Sequence, residues 1–226
     1  MRPWLQSTLP LLALCGQLCA QDAGRHPVSG RTYATVMGVG GAQWLERAER
    51  ENEERPRLAV DLLRLKPGMT VADVGAGSGY YSELVSRRVG ATGKVYAVDI
   101  QVGMIRLIQE RIRRLNLRNV TPVLGDAANP KLPSETIDLA LLVDVYHEFA
   151  EPQEMLRKIR AALRPDGRLV LLEFRKEDPA IPIRPEHKLS VEQAKAEIEP
   201  EGYRLDSLIE ALPWQHILIF RKTATP

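Results

Sequence analysis

The stretch Val71–Tyr80, which reads VADVGAGSGY, decides the fold predicted for this chain. A short β-branched run ends in the alternating glycines Gly75, Gly77 and Gly79, and an amphipathic segment follows. Glycine is required where the backbone turns with positive φ and where a ligand approaches the main chain closely. The pattern predicts a strand, a tight turn and a helix, with a ligand pocket at the carboxyl end of the strand.

The residues around these glycines distinguish two kinds of ligand. A dinucleotide fingerprint, Gly-x-Gly-x-x-Gly, needs a small third residue so that the helix packs closely behind the pyrophosphate, and Tyr80 stands at that place. Asp73 precedes Gly75 by two residues, and its carboxylate would repel a pyrophosphate and attract an ammonium group. S-adenosyl-L-methionine carries such an ammonium group and no phosphate.

Two further motifs follow on the next predicted strands. Lys94–Asp99 is an alternating strand that ends in an acid, the position that takes ribose hydroxyls in dinucleotide folds. Val120–Leu124 is followed by Gly125, Asp126 and Ala127. Each acid taken singly could instead be a turn former or a helix cap. Together, in order on successive strands, the three motifs favour a nucleoside-containing ligand.

With these motifs the chain resembles class I S-adenosylmethionine-dependent methyltransferases, over roughly residues 55–221. It looks most like the small-molecule type, such as the ubiquinone/menaquinone C-methyltransferase group, and like signal-bearing members of that class. The resemblance implies S-adenosyl-L-methionine as the cofactor. The cofactor-binding residues that it implies are Asp73, Gly75, Ala76, Gly77, Ser78, Gly79, Tyr80, Asp99, Ile100, Asp126, Ala127 and Asp144.

The order of the remaining elements agrees with this resemblance. Strands and helices alternate from Val71 to Glu173, with a turn at Arg164–Gly167, and Tyr203–Leu212 with Gln215–Arg221 forms a closing hairpin. We therefore expect a doubly wound, Rossmann-like α/β fold of seven mostly parallel strands with a C-terminal antiparallel hairpin.

The acceptor side is predicted at the end of the fourth strand, in Asp144–Phe149. His147 is the candidate general base because the pKa of a free imidazole lies near neutrality. Its alternative role is a local hydrogen bond that holds the loop. Tyr146 either orients the acceptor or packs in the core.

The first residues have a different composition from the rest of the chain. Arg2 precedes the apolar run Leu9–Cys15, and small residues follow up to Ala20, a pattern typical of a secretory signal peptide over residues 1–20. Cleavage would remove both cysteines, and with them any disulfide or thiolate site. The protein would be exported, periplasmic or secreted, without stable membrane insertion; a downstream translation start would leave it cytoplasmic.

The mature chain divides into two predicted parts. Residues 21–54 are interpreted as a linker or flexible lid followed by a cap helix, with Trp44–Arg55 as a solvated helix or, alternatively, a cover for the cofactor. Residues 55–226 form the methyltransferase domain. The loop Phe174–Ser190 is either a solvated surface loop or a substrate loop whose basic residues meet an acidic acceptor. These are Arg175, Lys176, Arg184, His187 and Lys188.

Composition limits the partners. There are 31 lysines and arginines against 29 acids, a net charge of +2, so no strong field favours nucleic acid. No metal is expected, because Glu173 and Phe174 stand where catechol-type enzymes have an Asp-Asn pair. The partner is a small-molecule acceptor of unidentified structure, and the oligomeric state is left open. The alternatives to a methyltransferase are a non-catalytic exported binding protein and a nucleotide-dependent oxidoreductase.

Overall fold

A computed structural model describes residues 24–224 of the protein. The predicted signal peptide, with both cysteines, lies outside the described residues. None of the helices among residues 24–224 has the length and apolar composition that crossing a membrane requires. The helices are α1 Ala42–Leu45, α2 Arg50–Glu53, α3 Pro56–Leu62, α4 Tyr80–Val89, α5 Val102–Leu115, α6 Pro152–Ala162 and α7 Val191–Ile198. The strands are β1 Thr70–Val74, β2 Lys94–Asp99, β3 Val120–Leu124, β4 Ile137–Val143, β5 Leu163–Arg175, β6 Lys188–Leu189, β7 Tyr203–Ile209 and β8 Gln215–Lys222.

The strands form one sheet in the order β3-β2-β1-β4-β5-β8-β7, and the two-residue β6 pairs with the end of β5. The neighbouring pairs β3–β2, β2–β1, β1–β4 and β4–β5 are parallel. β8 is antiparallel to both β5 and β7. The predicted fold class is confirmed. β1 and β4 are neighbours in the sheet, with β2 and β3 on the far side of β1 and β5, β8 and β7 on the far side of β4. An open α/β sheet forms a crevice at its carboxyl edge where the strand order changes direction in this way.

Apolar side chains cover both faces of the sheet. In β4, Leu139 and Leu141 belong to one buried cluster, with α3, α4 and α5, while Ala140 and Leu142 belong to the other, with α6 and α7. All four side chains are fully buried. This pattern is expected of parallel strands covered by helices on both faces, because successive side chains point to opposite sides.

The start of β5 differs from the prediction. Leu163 already pairs with Ile137, and the next pair joins Arg168 to Leu139. The segment Arg164–Gly167 therefore bulges out of the ladder, instead of forming a turn that ends before the strand begins. Buried Leu163 belongs to the same cluster as α6, so its packing places it in the sheet ahead of the turn residues.

The N-terminal segment from Gly24 to Gly41 is not a free linker. The Arg31 guanidinium donates to both carboxylate oxygens of Glu197 in α7, at 3.0 and 2.9 Å, and to the carbonyl of His147 at 3.0 Å. The backbone N–H of Ala34 donates to the same carbonyl at 3.1 Å. Arg31 and Glu197 are both buried, and a bidentate pair of this kind fixes orientation strongly. The segment is attached to the domain beside the His147 turn.

The single solvated helix expected over Trp44–Arg55 is also wrong. The region forms the short helices α1 and α2, and Arg50 and Glu54 are buried with 4% and 1% exposure. Arg50 Nε donates to Glu54 at 2.5 Å, and Arg47 donates to the other carboxylate oxygen of Glu54 at 2.6 Å. The charges of Arg47, Arg50 and Glu54 are therefore paired within the structure, whereas Glu49 and Arg55 are exposed to solvent.

We predict that Gly75→Ala destabilises the protein more than the matched variant Gly30→Ala. Both glycines have positive φ, +76° and +69°, so each substitution incurs about 1–2 kcal/mol of backbone strain. An added Cβ at Gly75 would lie 2.3 Å from Val145, whereas Gly30 has open space. The resulting overpacking adds about 1–3 kcal/mol for Gly75→Ala alone. Urea unfolding of both variants measures the difference; equal losses would contradict it.

Candidate active site

The glycine loop after β1 is fixed against the end of β2. The N–H groups of Gly75 and Ala76 both donate to the carbonyl of Val98, each at 2.9 Å. The N–H of Gly77 donates to Asp99 Oδ2 at 2.9 Å. Gly75, Gly77 and Gly79 all have positive φ, between 55° and 80°, so each position needs glycine for conformational reasons.

A cavity of about 490 Å³ opens beside this loop, at the carboxyl ends of the parallel strands. Its volume is within the range of about 300–1,000 Å³ that small-molecule and cofactor sites occupy. The glycine loop and β2 form one wall; Val36, Met37 and the short helices α1 and α2 form another, and the β5–β6 loop closes the far side. The N-terminal segment that was expected to be a linker is therefore part of the site.

Asp99 lies in the wall formed by the end of β2. Its Oδ2 accepts from Gly77, and its Oδ1 accepts from the N–H of Gln101 at 2.9 Å. Burial raises the pKa of Asp99, and the hydrogen bonds from Gln101, Gly77 and Ile100 oppose that rise. The neighbouring Ile100 side chain is 45% exposed although it lines the cavity. A carboxylate beside an open apolar surface can take hydroxyl groups and a flat ring from the same ligand.

Asp144 follows β4 with a φ of 47°, which is uncommon for a residue with a side chain. Its Oδ2 accepts from Gln215 Nε2 at 2.7 Å, while Oδ1 is enclosed and has no hydrogen-bond partner among the described residues. Burial first, and then the nearby carboxylates of Glu54 and Glu173, raise the pKa of Asp144 well above its usual range. Such a group is a ready partner for a cation or a donor within the cavity.

His147 lies in a short turn, Tyr146–Glu148, and is 1% exposed. Its Nδ1 lies 2.6 Å from Glu173 Oε2, and the other oxygen of Glu173 accepts from the N–H of Tyr146 at 2.9 Å. Its Nε2 lies 3.2 Å from Nδ1 of His187, which precedes β6. Burial lowers the pKa of His187, and the neighbouring His147 lowers it further. Glu173 holds His147 in one orientation, so Nε2 is the nitrogen available on the cavity side.

Glu148 lies beside the two histidines and also lines the cavity. One of its carboxylate oxygens accepts from the N–H of Met37 at 3.3 Å. Burial raises the pKa of Glu148 to about 7. This carboxylate thus connects the N-terminal wall of the cavity to the His147 turn.

Residues 65–215 match the family model described as a methyltransferase domain. That match covers well over half of the chain. The chain belongs to the methyltransferase-domain family.

Two kinds of relative support this membership. The ubiquinone/menaquinone biosynthesis C-methyltransferases UbiE of Escherichia fergusonii and Salmonella arizonae are 33% identical over 121 residues, covering 53% of this chain and 48% of theirs. The chain spans about half the length of these curated relatives. A solved structure of an S-adenosylmethionine-dependent methyltransferase from Aquifex aeolicus is 28% identical, with a TM-score of 0.77, over 82% of this chain and 98% of its own.

Membership confirms the predicted class and the cofactor, S-adenosyl-L-methionine, and the cavity collects most of the implied site. The predicted residues that line the cavity are Gly75, Gly77, Asp99, Ile100, Asp126, Ala127, Asp144 and His147. Those that do not line it are Asp73, Ala76, Ser78, Gly79, Tyr80 and Tyr146. Ser78 donates its hydroxyl to Glu46, and Tyr80 donates to Glu51 at 3.2 Å, so these two side chains hold the N-terminal helices.

Asp73 and Tyr146 do not line the cavity, and their contacts lie elsewhere. Asp73 is 2% exposed and accepts from the hydroxyl of Ser82 in α4 at 2.6 Å. It faces the helix behind the loop, because alternation in β1 turns its side chain away from the crevice. Tyr146 is fully buried, and its ring packs edge-on against Phe149 at 5.7 Å between centroids. Of the two roles that the sequence left open for Tyr146, the structure therefore shows packing in the core.

The basic residues of the loop after β5 also serve mostly structural roles. Arg175 donates to the carbonyls of Leu212, Pro213 and Gln215, and Lys188 donates to those of Asp178 and Ile181. Lys176 donates to Gln193 at 3.1 Å. Of the five basic residues, only Arg184 and His187 line the cavity.

Sequence reasoning missed residues that reach the site from distant segments. Arg111 in α5 donates to the carbonyl of Ser78 at 3.1 Å, to Glu83 at 2.7 Å and to Glu46. It therefore holds the glycine loop from behind. Glu173 was assigned no role, although an acid at the end of a central strand is a signal for this edge of the sheet. The lining residues Arg50 and Glu54 had no signal other than alternating charge.

We predict that Asp73→Asn removes a pH dependence of stability. Burial raises the pKa of Asp73 from 3.8 to about 6, against the opposing hydrogen bond from Ser82. Because the folded pKa is the higher one, the native state binds the proton more tightly, and stability falls as pH rises from about 4 to about 6. The loss above pH 6 amounts to ~3 kcal/mol.

Urea unfolding at intervals between pH 4 and pH 7 measures this effect. The difference in unfolding free energy between Asp73→Asn and wild type should grow by ~3 kcal/mol over that range. Asp206→Asn, at an exposed position of β7, is the matched control and should stay parallel to wild type. A parallel curve for Asp73→Asn would contradict the prediction.

Proposed function

We propose that this protein transfers a methyl group from S-adenosyl-L-methionine to a small-molecule acceptor. The observation that carries the proposal is that one continuous cavity joins the glycine loop and Asp99 to His147. A cofactor and an acceptor in the same cavity are within reach of each other, and methyl transfer requires little beyond this alignment. Orientation of two reactants contributes roughly 7–11 kcal/mol of barrier lowering.

The residues present fit the cofactor. Gly75 and Gly77 line the cavity, so their backbone can meet the methionine part, and Asp99 beside the exposed Ile100 suits ribose hydroxyls and an adenine ring. The unpartnered Oδ1 of Asp144 suits the ammonium group, the role first assigned to Asp73. When bound, S-adenosyl-L-methionine supplies an activated methyl group on a sulfonium. Asp126 and Ala127 would border the adenine side.

His147 is the residue proposed to act on the acceptor. Glu173 fixes its ring, and Nε2 is presented on the side where His187 and Glu148 lie. Apolar side chains also line the cavity, among them Met37, Met104, Phe149 and Met155. The UbiE relatives are named for quinone biosynthesis, so reduced naphthoquinones and benzoquinones are the first acceptors to test, followed by phenols and thiols.

A second candidate is a non-methylating protein on the same fold. The [4+2]-cyclase SpnF is 17% identical, with a TM-score of 0.63, over 75% of this chain and 81% of its own. That likeness concerns the fold alone, and fold does not determine reaction. Binding of S-adenosyl-L-methionine without formation of S-adenosylhomocysteine with any acceptor would favour this candidate.

The location and the domain division are also proposals. We infer an exported protein from the signal-type composition of residues 1–20, with residues 21–54 as the covering segment and 55–226 as the methyltransferase domain. The N-terminal sequence of the protein recovered from its native host tests this: a chain that begins near Gln21 supports export, and an intact leader contradicts it.

We predict that Asp99→Asn weakens cofactor binding about ten- to a hundredfold. The substitution removes a carboxylate oxygen that accepts from the glycine loop and from ligand hydroxyls, and charged hydrogen bonds contribute about 1.5–3 kcal/mol. Calorimetric titration with S-adenosyl-L-methionine measures the change, and wild type should not bind NAD. Asp206→Asn is the control. Unchanged affinity of Asp99→Asn for S-adenosyl-L-methionine would show that Asp99 does not bind the ribose.

We predict that His147→Gln and Glu173→Gln each lower methyl transfer at least tenfold while cofactor affinity stays within about twofold. His147 meets the acceptor end of the cavity, and Glu173 only orients it. The readout is S-adenosylhomocysteine formed with an acceptor identified from the quinols, phenols or thiols. Glu186→Gln, one residue from His187, is the control for a carboxylate outside the pair. Full turnover in His147→Gln would show a purely structural histidine.

A further inference from the structure

Three side chains at the acceptor end of the cavity offer ligand atoms that converge. His147, Glu148 and His187 each present one nitrogen or carboxylate oxygen, and these atoms lie within 4.8 Å of one another. The three residues come from two separate segments, the turn after β4 and the turn before β6. All three line the cavity, so an ion between them is accessible from the site already described.

The two histidines have the geometry of ligands to one ion. Nε2 of His147 and Nδ1 of His187 are 3.2 Å apart, and the rings are nearly perpendicular, at 79°. Two nitrogens bound to a tetrahedral zinc at 2.0–2.1 Å are about 3.3 Å apart. A direct hydrogen bond between the rings also accounts for this distance, so the third residue and the support behind His147 decide between the two arrangements.

The support behind His147 is the kind that metal-binding histidines have. Metal-ligating imidazoles usually donate their other N–H to a carboxylate, which fixes the ring and its tautomer. The 2.6 Å contact between Nδ1 of His147 and the buried Glu173 supplies this arrangement and leaves Nε2 as the free ligand atom.

Glu148 is the third residue. Its carboxylate is largely withdrawn from solvent, yet no lysine or arginine of the described chain forms an ion pair with it. The Met37 N–H occupies one oxygen at 3.3 Å, and the other remains available. A cation between Glu148 and the two imidazoles would compensate the charge of this carboxylate.

We propose that His147 Nε2, His187 Nδ1 and one carboxylate oxygen of Glu148 bind a single divalent transition-metal ion. Two imidazoles and a carboxylate suit zinc and its neighbours, and three protein ligands leave a further position open toward the cavity. An acceptor that carries a hydroxyl or thiol group could occupy that position, where the ion would stabilise its deprotonated form while His147 served as a ligand of the ion. Only this last step depends on the proposed function. The sequence led us to expect no metal, and the proposed site differs from that expectation.

The test is calorimetric titration of chelator-treated protein with Zn²⁺, together with the visible absorption spectrum of the Co²⁺ form. Wild type should bind one ion per chain, with the spectrum of a low-coordinate cobalt site. His187→Gln and Glu148→Gln should each weaken binding at least tenfold, and Glu173→Gln about ten- to a hundredfold through the lost support of His147. Glu186→Gln, a neighbouring carboxylate outside the cluster, should bind as wild type does.

S-adenosyl-L-methionine titration of the same variants separates the outcomes. Retained cofactor binding in His187→Gln and Glu148→Gln shows that they fold, so their loss of metal would support the proposed site. If wild type binds the cofactor but no ion, or if His187→Gln binds Zn²⁺ as tightly as wild type, the metal proposal is overturned and the methyltransferase proposal stands. Metal binding without cofactor binding would overturn the proposed function alone.

Discussion

The site depends on the attachment of the glycine loop to the end of β2. The N–H groups of Gly75, Ala76 and Gly77 are all turned toward Val98 and Asp99, at 2.9 Å each. This arrangement requires positive φ at alternate positions, which only glycine adopts without strain. The same three bonds set the direction in which α4 leaves the loop and the place where Asp99 faces the cavity. A side chain at Gly75 would collide with Val145, so the loop also determines how closely the segment after β4 approaches.

A second layer of contacts closes the cavity from the N-terminal side. Arg31 joins α7 to the carbonyl of His147, and Met37 contacts both Glu148 through its N–H and Gln101 through its carbonyl. Arg111 holds the opposite end, where Ser78 and Glu46 meet. These bonds link residues far apart in sequence, and the Arg31–Glu197 pair is a buried ion pair whose partners would be costly to separate. The covering segment is therefore as much a part of the site as the sheet.

Two groups of carboxylates and imidazoles divide the cavity by chemistry. Asp99 and Asp144 lie near the glycine loop, where a cationic, hydroxyl-bearing cofactor is favoured. His147, His187 and Glu148 lie near the β5–β6 loop, with Glu173 behind them. Asp144 and His147 both follow β4, and Asp99 ends β2, so residues from both sides of the β1–β4 boundary meet in one crevice at the carboxyl edge of the sheet. Asp99, Asp144, His147, His187 and Glu148 all line the same cavity.

The sequence by itself determined the order of strands and helices, the glycine loop, Asp99 and the position of His147. These features depend on local rules: alternation of apolar residues, the φ that glycine permits, and acids at strand ends. It left two roles open for Tyr146, and it did not show that Asp73 bonds to Ser82 in α4, because both depend on which face of the sheet or core each side chain meets. Only the tertiary structure brought Glu173 and His187 to His147, and Arg31 and Arg50 to the covering wall. Those contacts join segments whose distance along the chain contains no information about their distance in space, so only the packed fold could decide them.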